Sequence, residues 1–198
     1  MALAATHPDW AVGFEDETWW SRVARPALHA WADGTPVRLV AQTVADDDRD
    51  PKALACYGLL VRQPETPEAL WLRFVDGRPV SAITTAFLAW CCERLAARRT
   101  TTLVLIWDNA GWHVSREVRR WLREHNQRAH REGGVRLVPC LLPTKSPWLN
   151  PIEPKWVHGK RRVAEPARLL TAADLEDRIC ATFACPRCDH LAIPKEVA

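Results

Sequence analysis

No run of eighteen apolar residues occurs anywhere in the 198-residue chain, which argues against a membrane-spanning helix. The opening stretch, MALAATHPDWAVGFEDETWW, lacks a basic segment followed by an apolar one, so no secretory signal is read there. Cysteine is present in an odd number: Cys56, Cys91, Cys92, Cys140, Cys180, Cys185 and Cys188. Their scatter is not the framework of a disulfide-stapled secreted domain and fits a reducing cytosol. Tyrosine is almost missing, one against eleven tryptophans; most of those rings are expected in the core, and the excess carries no function by itself. Internal repeats and low-complexity segments are also lacking. What is present is 47% hydrophobic residues, enough for the core of one α/β domain.

The net charge of +3 is unevenly spread. Residues 98–168 hold fifteen Lys or Arg against six Asp or Glu, a surplus of +9, whereas residues 1–97 carry −4 and residues 169–198 carry −2. A basic middle on an acidic chain is what a polyanion-binding surface requires. A solvated helix face bearing Arg116, Arg119, Arg120 and Arg123 explains part of it equally well.

Periodicity gives a mixed sheet covered by helices. Strands are expected at Trp10–Glu17, at Pro36–Val44 after the turn signal Asp33-Gly34, at Ala55–Val61, and in LWLRFVDG. The acidic run 46–50 reads as a solvated turn. Ser81–Arg99 reads as a helix capped by Ser81, with Ile83, Phe87, Leu88, Trp90 and Leu95 inward. TTLVLIW and VRLVPCLLP read as buried strands, separated by a helix over Val114–Arg131 that ends near Gly133-Gly134. A last helix is expected over Pro151–Val163.

Three places concentrate chemistry. Asp108 abruptly ends the run LVLIW, at the carboxyl end of a strand where α/β sheets gather ligands; capping the following turn is the plainer role. Glu153 falls three residues after Asn150, with Pro151 between. That spacing aims a carboxylate at the preceding strand ends, and it equally fits a capping box with Asn150 as N-cap. Lys160 follows two turns along the same face. In FEDET, alternation puts Asp16 on the face of Val12 and Phe14, and Glu15 and Glu17 on the other. An inward acid needs a partner, for which a metal is suited. Cys180, Cys185, Cys188 and His190 offer enough soft ligands for zinc, although the Cys188-to-His190 spacing is tight.

Together, FEDETWW, LVLIWDNAGWH and LVPCLLPTKSPWLNPIEPKW resemble the ordered motifs of DDE transposases of the mariner superfamily, particularly its bacterial insertion-sequence branch. The last block is the most specific: Leu142-Pro143, Ser146-Pro147, Leu149 to Glu153 and Trp156 follow the family's LP…SP.LNPIE..W pattern. Asp108, Asn109 and His113 fit its DN…H pattern, and Trp31 and Gly34 add to the first block. The resemblance spans residues 9–165. Asp108 and Glu153 stand 45 positions apart, longer than in eukaryotic mariner members, with the surplus in HNQRAHREGG.

The resemblance implies an α/β, RNase H-like (retroviral-integrase-like) mixed sheet flanked by helices, as a catalytic domain over residues 1–168 with a helical or irregular tail over 169–198. It assigns Asp16, Asp108 and Glu153 as catalytic residues and metal ligands, for two ions, Mg²⁺ or Mn²⁺, that drive DNA strand cleavage and strand transfer. Asn109 and His113 take supporting roles, His113 being equally an ordinary helix-start histidine. Lys145, Lys155, Lys160, Arg161 and Arg162 are candidate phosphate contacts. The implied partners are transposon-end and target DNA, with a homo-oligomer forming on DNA; no membrane partner is expected, and the implied location is the bacterial cytoplasm, at the nucleoid when DNA-bound. Family members carry an N-terminal helix-turn-helix segment, and here Asp16 stands near the start. A fragment, a split-frame product or a decayed copy that only binds DNA or dimerises is therefore the alternative. A resolvase-like nuclease would share the acids and lack the LP…SP.LNPIE block.

Overall fold

The computed structural model describes residues 6–24 and 42–193, together with the backbone of residues 29–32 and 35–38. In chain order the elements are β1 (Trp10–Ser21), β2 (His29–Ala32), β3 (Thr35–Arg38), β4 (Ala53–Arg62), β5 (Ala69–Asp76), α1 (Ser81–Ala96), β6 (Thr102–Trp107), α2 (Arg116–Glu132), β7 (Arg136–Leu141), α3 (Glu153–Val163), α4 (Ala172–Phe183) and β8 (Leu191–Ala192). A 3₁₀ turn, Pro147–Leu149, precedes α3.

Six strands form one sheet in the order β7-β6-β1-β4-β5-β8, and β2 pairs with β3 separately. β1, β4 and β5 run as an antiparallel meander, while β6 lies parallel to β1 and β7 parallel to β6. Each parallel step needs a crossover, which α1 and α2 supply. Both faces of the central strands are covered, so β4 reads apolar on both sides. Ala55, Tyr57, Leu59 and Val61 join one core with Ile83, Phe87 and Leu88 of α1 and Val118 of α2. Leu54, Cys56 and Leu60 join the other with Trp156 of α3 and Leu175 and Ile179 of α4. The segment after residue 168 thus supplies α4 to the second core. Thr171 begins it with a full capping box, its side chain accepting from the Asp174 N–H while Asp174 accepts from the Thr171 N–H.

Several expectations are corrected. β1 continues to Ser21, so Glu15, Asp16 and Glu17 lie in mid-strand and not at its end. Residues 42–44 are not strand; Gln42 instead donates to the carbonyls of Glu165 and Arg168. The turn at 33–34 and residues 39–41 lie outside the described residues. β7 is an edge strand with only Leu137 buried, because no helix covers its second face; Pro139 is tolerated there, as prolines are at edges. Ser81 does not cap α1: Val80 holds the cap position, and Ser81 Oγ pairs with Ser115 Oγ at 2.8 Å. The acidic run is not simply solvated either. The buried Arg22 guanidinium binds both oxygens of Asp48, at 3.1 and 2.6 Å, and the Leu170 carbonyl at 2.6 Å.

The second core is tight where α3 meets α4. A Cβ at Gly159 would lie 2.4 Å from Phe183 and 2.9 Å from Trp20. Gly159→Ala therefore overpacks a ring cluster and should lower the unfolding free energy by about 1–3 kcal/mol, measured by urea denaturation. An unchanged midpoint would show that the rings shift freely.

Candidate active site

The β1–β6 register builds the site. Phe14 lies opposite Ile106, so two residues further on Asp16 and Asp108 reach adjacent positions on the same face of the sheet. β6 stops at Trp107, and Asp108 begins the loop beyond it. α3 brings the third acid. Asp16, Asp108 and Glu153 line one cleft of about 350 Å³ together with Asn109, Asn150 and the loop 142–147, whose Lys145 is the cationic residue lining it.

Glu153 is not a capping residue. α3 begins at Glu153 itself, two residues later than expected, and its cap position, Ile152, makes no side-chain bond. Asn150, expected as the cap, is buried and donates to the Glu15 carbonyl at 3.0 Å, which ties the turn before α3 to β1. The Glu153 carboxylate is thereby left to the cleft.

Protein donors hold one oxygen of each aspartate. Trp156 Nε1 donates to Asp16 Oδ2 at 2.7 Å. Asp108 Oδ1 accepts from the Ala110 N–H at 2.8 Å and from His113 Nδ1 at 2.8 Å. The turn-capping role of Asp108 is therefore real, and it coexists with a second, unpartnered oxygen among the described residues. Burial, then the neighbouring Glu153 carboxylate, push the Asp16 carboxyl up to about 7 against the pull of the Trp156 bond. Asp108 goes the other way: the His113 bond holds it below the usual carboxylate range despite partial burial.

The opposite face of β1 sets one imidazole against its two acids. Glu15 and His113 are buried, and Glu17 is nearly so. His113 Nε2 stands 2.9 Å from Glu17 Oε1 and 3.2 Å from Glu15 Oε2. Burial works against charge on His113, yet the field of Glu15 and the bonds to Asp108 and Glu17 hold it well above the usual histidine range. Both ring nitrogens face carboxylate oxygens, an arrangement that suits the imidazolium form. Its N–H aims at Glu17, so Glu15 keeps an ionic contact without a directed hydrogen bond. Burial foremost, with Glu17 beside it, raises the Glu15 carboxyl. Trp107 stacks on the imidazole at 4.6 Å, and Trp112 donates to Glu17 at 2.7 Å. Among the described residues Glu15, Glu17 and His113 are the group spaced to hold a metal.

Of the expected supporting residues, His113 meets Asp108, while Asn109 does not and instead donates to the Leu142 carbonyl at 2.6 Å, linking the loops after β6 and β7. Of the five expected phosphate contacts, Lys145 alone lines the cleft. Lys155 pairs with Glu68 at 2.8 Å, Lys160 stands over Trp20, and Arg161 and Arg162 are exposed. His190 is engaged by Asp76 and Glu176, so the four candidate zinc ligands are not drawn together. The roles of Glu15, Glu17, Trp112 and Trp156 were missed. Trp156 could have been found by its spacing, one helical turn after Glu153. Glu15 and Glu17 needed the knowledge that both faces of β1 are covered.

A parallel-and-antiparallel sheet of this order, with carboxylates meeting on its central strands, defines an RNase H-like fold. The profile of the DDE superfamily endonuclease matches residues 66–176, more than half of the chain. The chain belongs to that family. The matched span includes Asp108 and Glu153 and starts after Asp16. Among solved structures, the Mos1 transposase paired-end complex with left transposon end is 19% identical at a TM-score of 0.59, covering 94% of this chain and 52% of that one. The catalytic domain of Mos1 mariner transposase is 14% identical at 0.53, covering 94% and 78%. These likenesses show the fold, the integrase and transposase catalytic fold, and the chain spans about half the length of the Mos1 chain in the paired-end complex. No curated protein matches the chain.

Asp16 carries a pH signature. A carboxyl raised to about 7 in the fold but near 4 when unfolded binds more protons folded than unfolded between those values. Its contribution is fully present below pH 4 and lost as pH rises through 7. In the metal-free chain, Asp16→Asn should therefore raise the unfolding free energy at pH 8 by more than about 1 kcal/mol and change it far less at pH 4. Equal effects at both values would mean that Asp16 is not strained by its neighbours.

Proposed function

We propose that this chain is the catalytic domain of a mariner-like DDE transposase, of the bacterial insertion-sequence branch, that cleaves a DNA strand and joins the freed end to target DNA. The observation that carries this reading is the convergence of Asp16, Asp108 and Glu153 on one cleft, each of the two aspartates with one oxygen held by the protein and one without a partner. Such a donor set fits hard divalent cations, which take oxygen ligands and keep waters. The raised Asp16 carboxyl supports the fit, since a cation would remove the repulsion that raises it. Asp16, Asp108 and Glu153 would hold two ions, Mg²⁺ or Mn²⁺; the chemistry such ions supply is an activated water and stabilised attacking and leaving oxygens. Structures of the Mos1 transposase catalytic domain with Raltegravir contain Mn or Mg.

The chain's own residues do the rest. Trp156 and His113 fix the rotamers of Asp16 and Asp108, and Asn109 fixes the loop 142–147 beside them. Lys145 meets a phosphate in the cleft, and Lys155, Lys160, Arg161 and Arg162 on α3 meet phosphates around it, positioning DNA without reading its sequence. Transposon ends and target are the substrates, a homo-oligomer forms on them, and the chain works at the bacterial nucleoid. The motif-bearing part ends at residue 168, and α4 and β8 beyond it complete the same core and sheet. The family match and the three acids in one cleft favour this reading over an inactive remnant.

Strand cleavage of transposon-end DNA with Mg²⁺ or Mn²⁺, with and without a supplied end-binding domain, tests it. Asp108→Asn keeps the shape and loses metal charge, so metal-dependent cleavage should fall to background while the fold persists; cleavage at the parent rate would remove Asp108 from the site. Binding to duplex DNA should be weak, indifferent to sequence and steeply salt-dependent, as measured by salt titration on cognate and scrambled duplexes. A tight, salt-insensitive preference for the cognate end would show that this domain reads bases.

A further inference from the structure

Far from the carboxylates, guanidinium and indole groups alternate along the surface where α1 crosses β5. Arg73 lies over Trp90 at 5.1 Å from the ring centroid, Arg94 over both Trp90 and Trp71 at 4.9 Å each, and Arg98 over Trp71 at 4.9 Å. The two indoles meet edge-on, 6.3 Å apart. The ladder borders a cleft of about 330 Å³ closed on its other side by Leu70, Phe183 and Cys185. Trp71 pairs with Leu59, and Leu59 with Glu15, so the ladder stands two strands over from β1; no residue lines both clefts.

Shielding a tryptophan takes one arginine stem. Three guanidinium groups in series, with none in an ion pair among the described residues, go beyond that. Glu68, the acid beside them, is already held by Arg62 at 2.7 Å and Lys155 at 2.8 Å. Arg73 spends its Nε on the Asp189 carbonyl, and Arg94 Nε is buried without a partner. Like charges so placed repel unless an anion joins them. Each guanidinium carbon is held 4.9 to 5.1 Å from an indole centroid, and the terminal N–H groups make no bond among the described residues, which leaves the guanidinium fork to grip phosphate by two hydrogen bonds. A protein partner is the poorer fit, because its anchors need open aromatic or apolar pockets, and Trp71 is buried beneath the arginines.

We propose that Arg73, Arg94 and Arg98, ordered by Trp71 and Trp90, form a second DNA site that holds the phosphate backbone of duplex outside the cleavage cleft. It rests on the reading of this chain as a DNA-cleaving enzyme. Since the ring faces are occupied by guanidinium groups, binding there is to backbone and not to bases.

The test is binding of a long duplex by the full chain, parent against an R73Q/R94Q/R98Q variant, as salt is raised. Each lost phosphate contact lowers the slope of log K against log salt by about 0.9, so the variant should lose about two to three units. Metal-dependent cleavage of a short oligonucleotide that reaches only the carboxylate cleft should continue at the parent rate. Should the triple variant fail to fold, R98Q alone, at an exposed position, should lose about one unit. Equal slopes for parent and variant overturn the proposal, and so does an equal loss when the exposed Arg119, Arg120 and Arg123 of α2 are neutralised instead. A slope difference in a parent that cleaves no DNA upholds the site and counts against the nuclease reading alone.

Discussion

Three consecutive carboxylates in the middle of a strand covered on both faces are the constraint on which this structure turns. Transfer of an unpaired carboxylate into such surroundings is among the costliest events in folding. β1 resolves it differently on its two faces. Glu15 and Glu17 share one imidazolium, His113, which also reaches Asp108. Asp16, facing the other way, receives among the described residues only the indole N–H of Trp156 and is left beside Glu153 and Asp108. One face is answered in part within the chain, by His113 and Trp112, although both buried Glu15 oxygens lack a hydrogen bond. The other is left with unpartnered carboxylate oxygens among the described residues, to which the proposed function assigns a cation.

That asymmetry links sequence to function through the sheet. The parallel register of β1 and β6 brings two aspartates to one face, and the early stop of β6 opens room beyond them. α3 can approach closely because Gly58, opposite Asp16 on β4, has no side chain: a Cβ there would sit 2.4 Å from the Trp156 ring. The ring that fills this gap is the one that orients Asp16, so packing and positioning are the same contact. His113 plays the corresponding part for Asp108, clamped between the Trp107 ring and three carboxylates.

Much of the sheet was legible because hydrophobic period and strand length agree for β1, β4, β5 and β6. The acids were legible through local interruption, Asp108 ending an apolar run and Asp16 lying in phase with Val12 and Phe14. What escaped depended on tertiary facts. The exposure of β7 follows from its place at the sheet edge, which period alone does not give. The start of α3 at Glu153 follows from Asn150 reaching across to the Glu15 carbonyl, a bond spanning 135 positions in sequence. The burial of Arg22 with Asp48 has the same origin: a charged loop looks solvated until the guanidinium that covers it is known. The arginine–indole ladder gave no motif at all, since its members come from β5 and α1.

The central claim is that the unpartnered oxygens of Asp16, Asp108 and Glu153 jointly hold divalent cation. Anomalous diffraction from crystals of the chain soaked in Mn²⁺ tests it most directly. The account predicts manganese density in the cleft with oxygens of all three carboxylates as ligands, and none at Glu15, Glu17 and His113. Manganese bound at that second group, with the cleft empty, would contradict it.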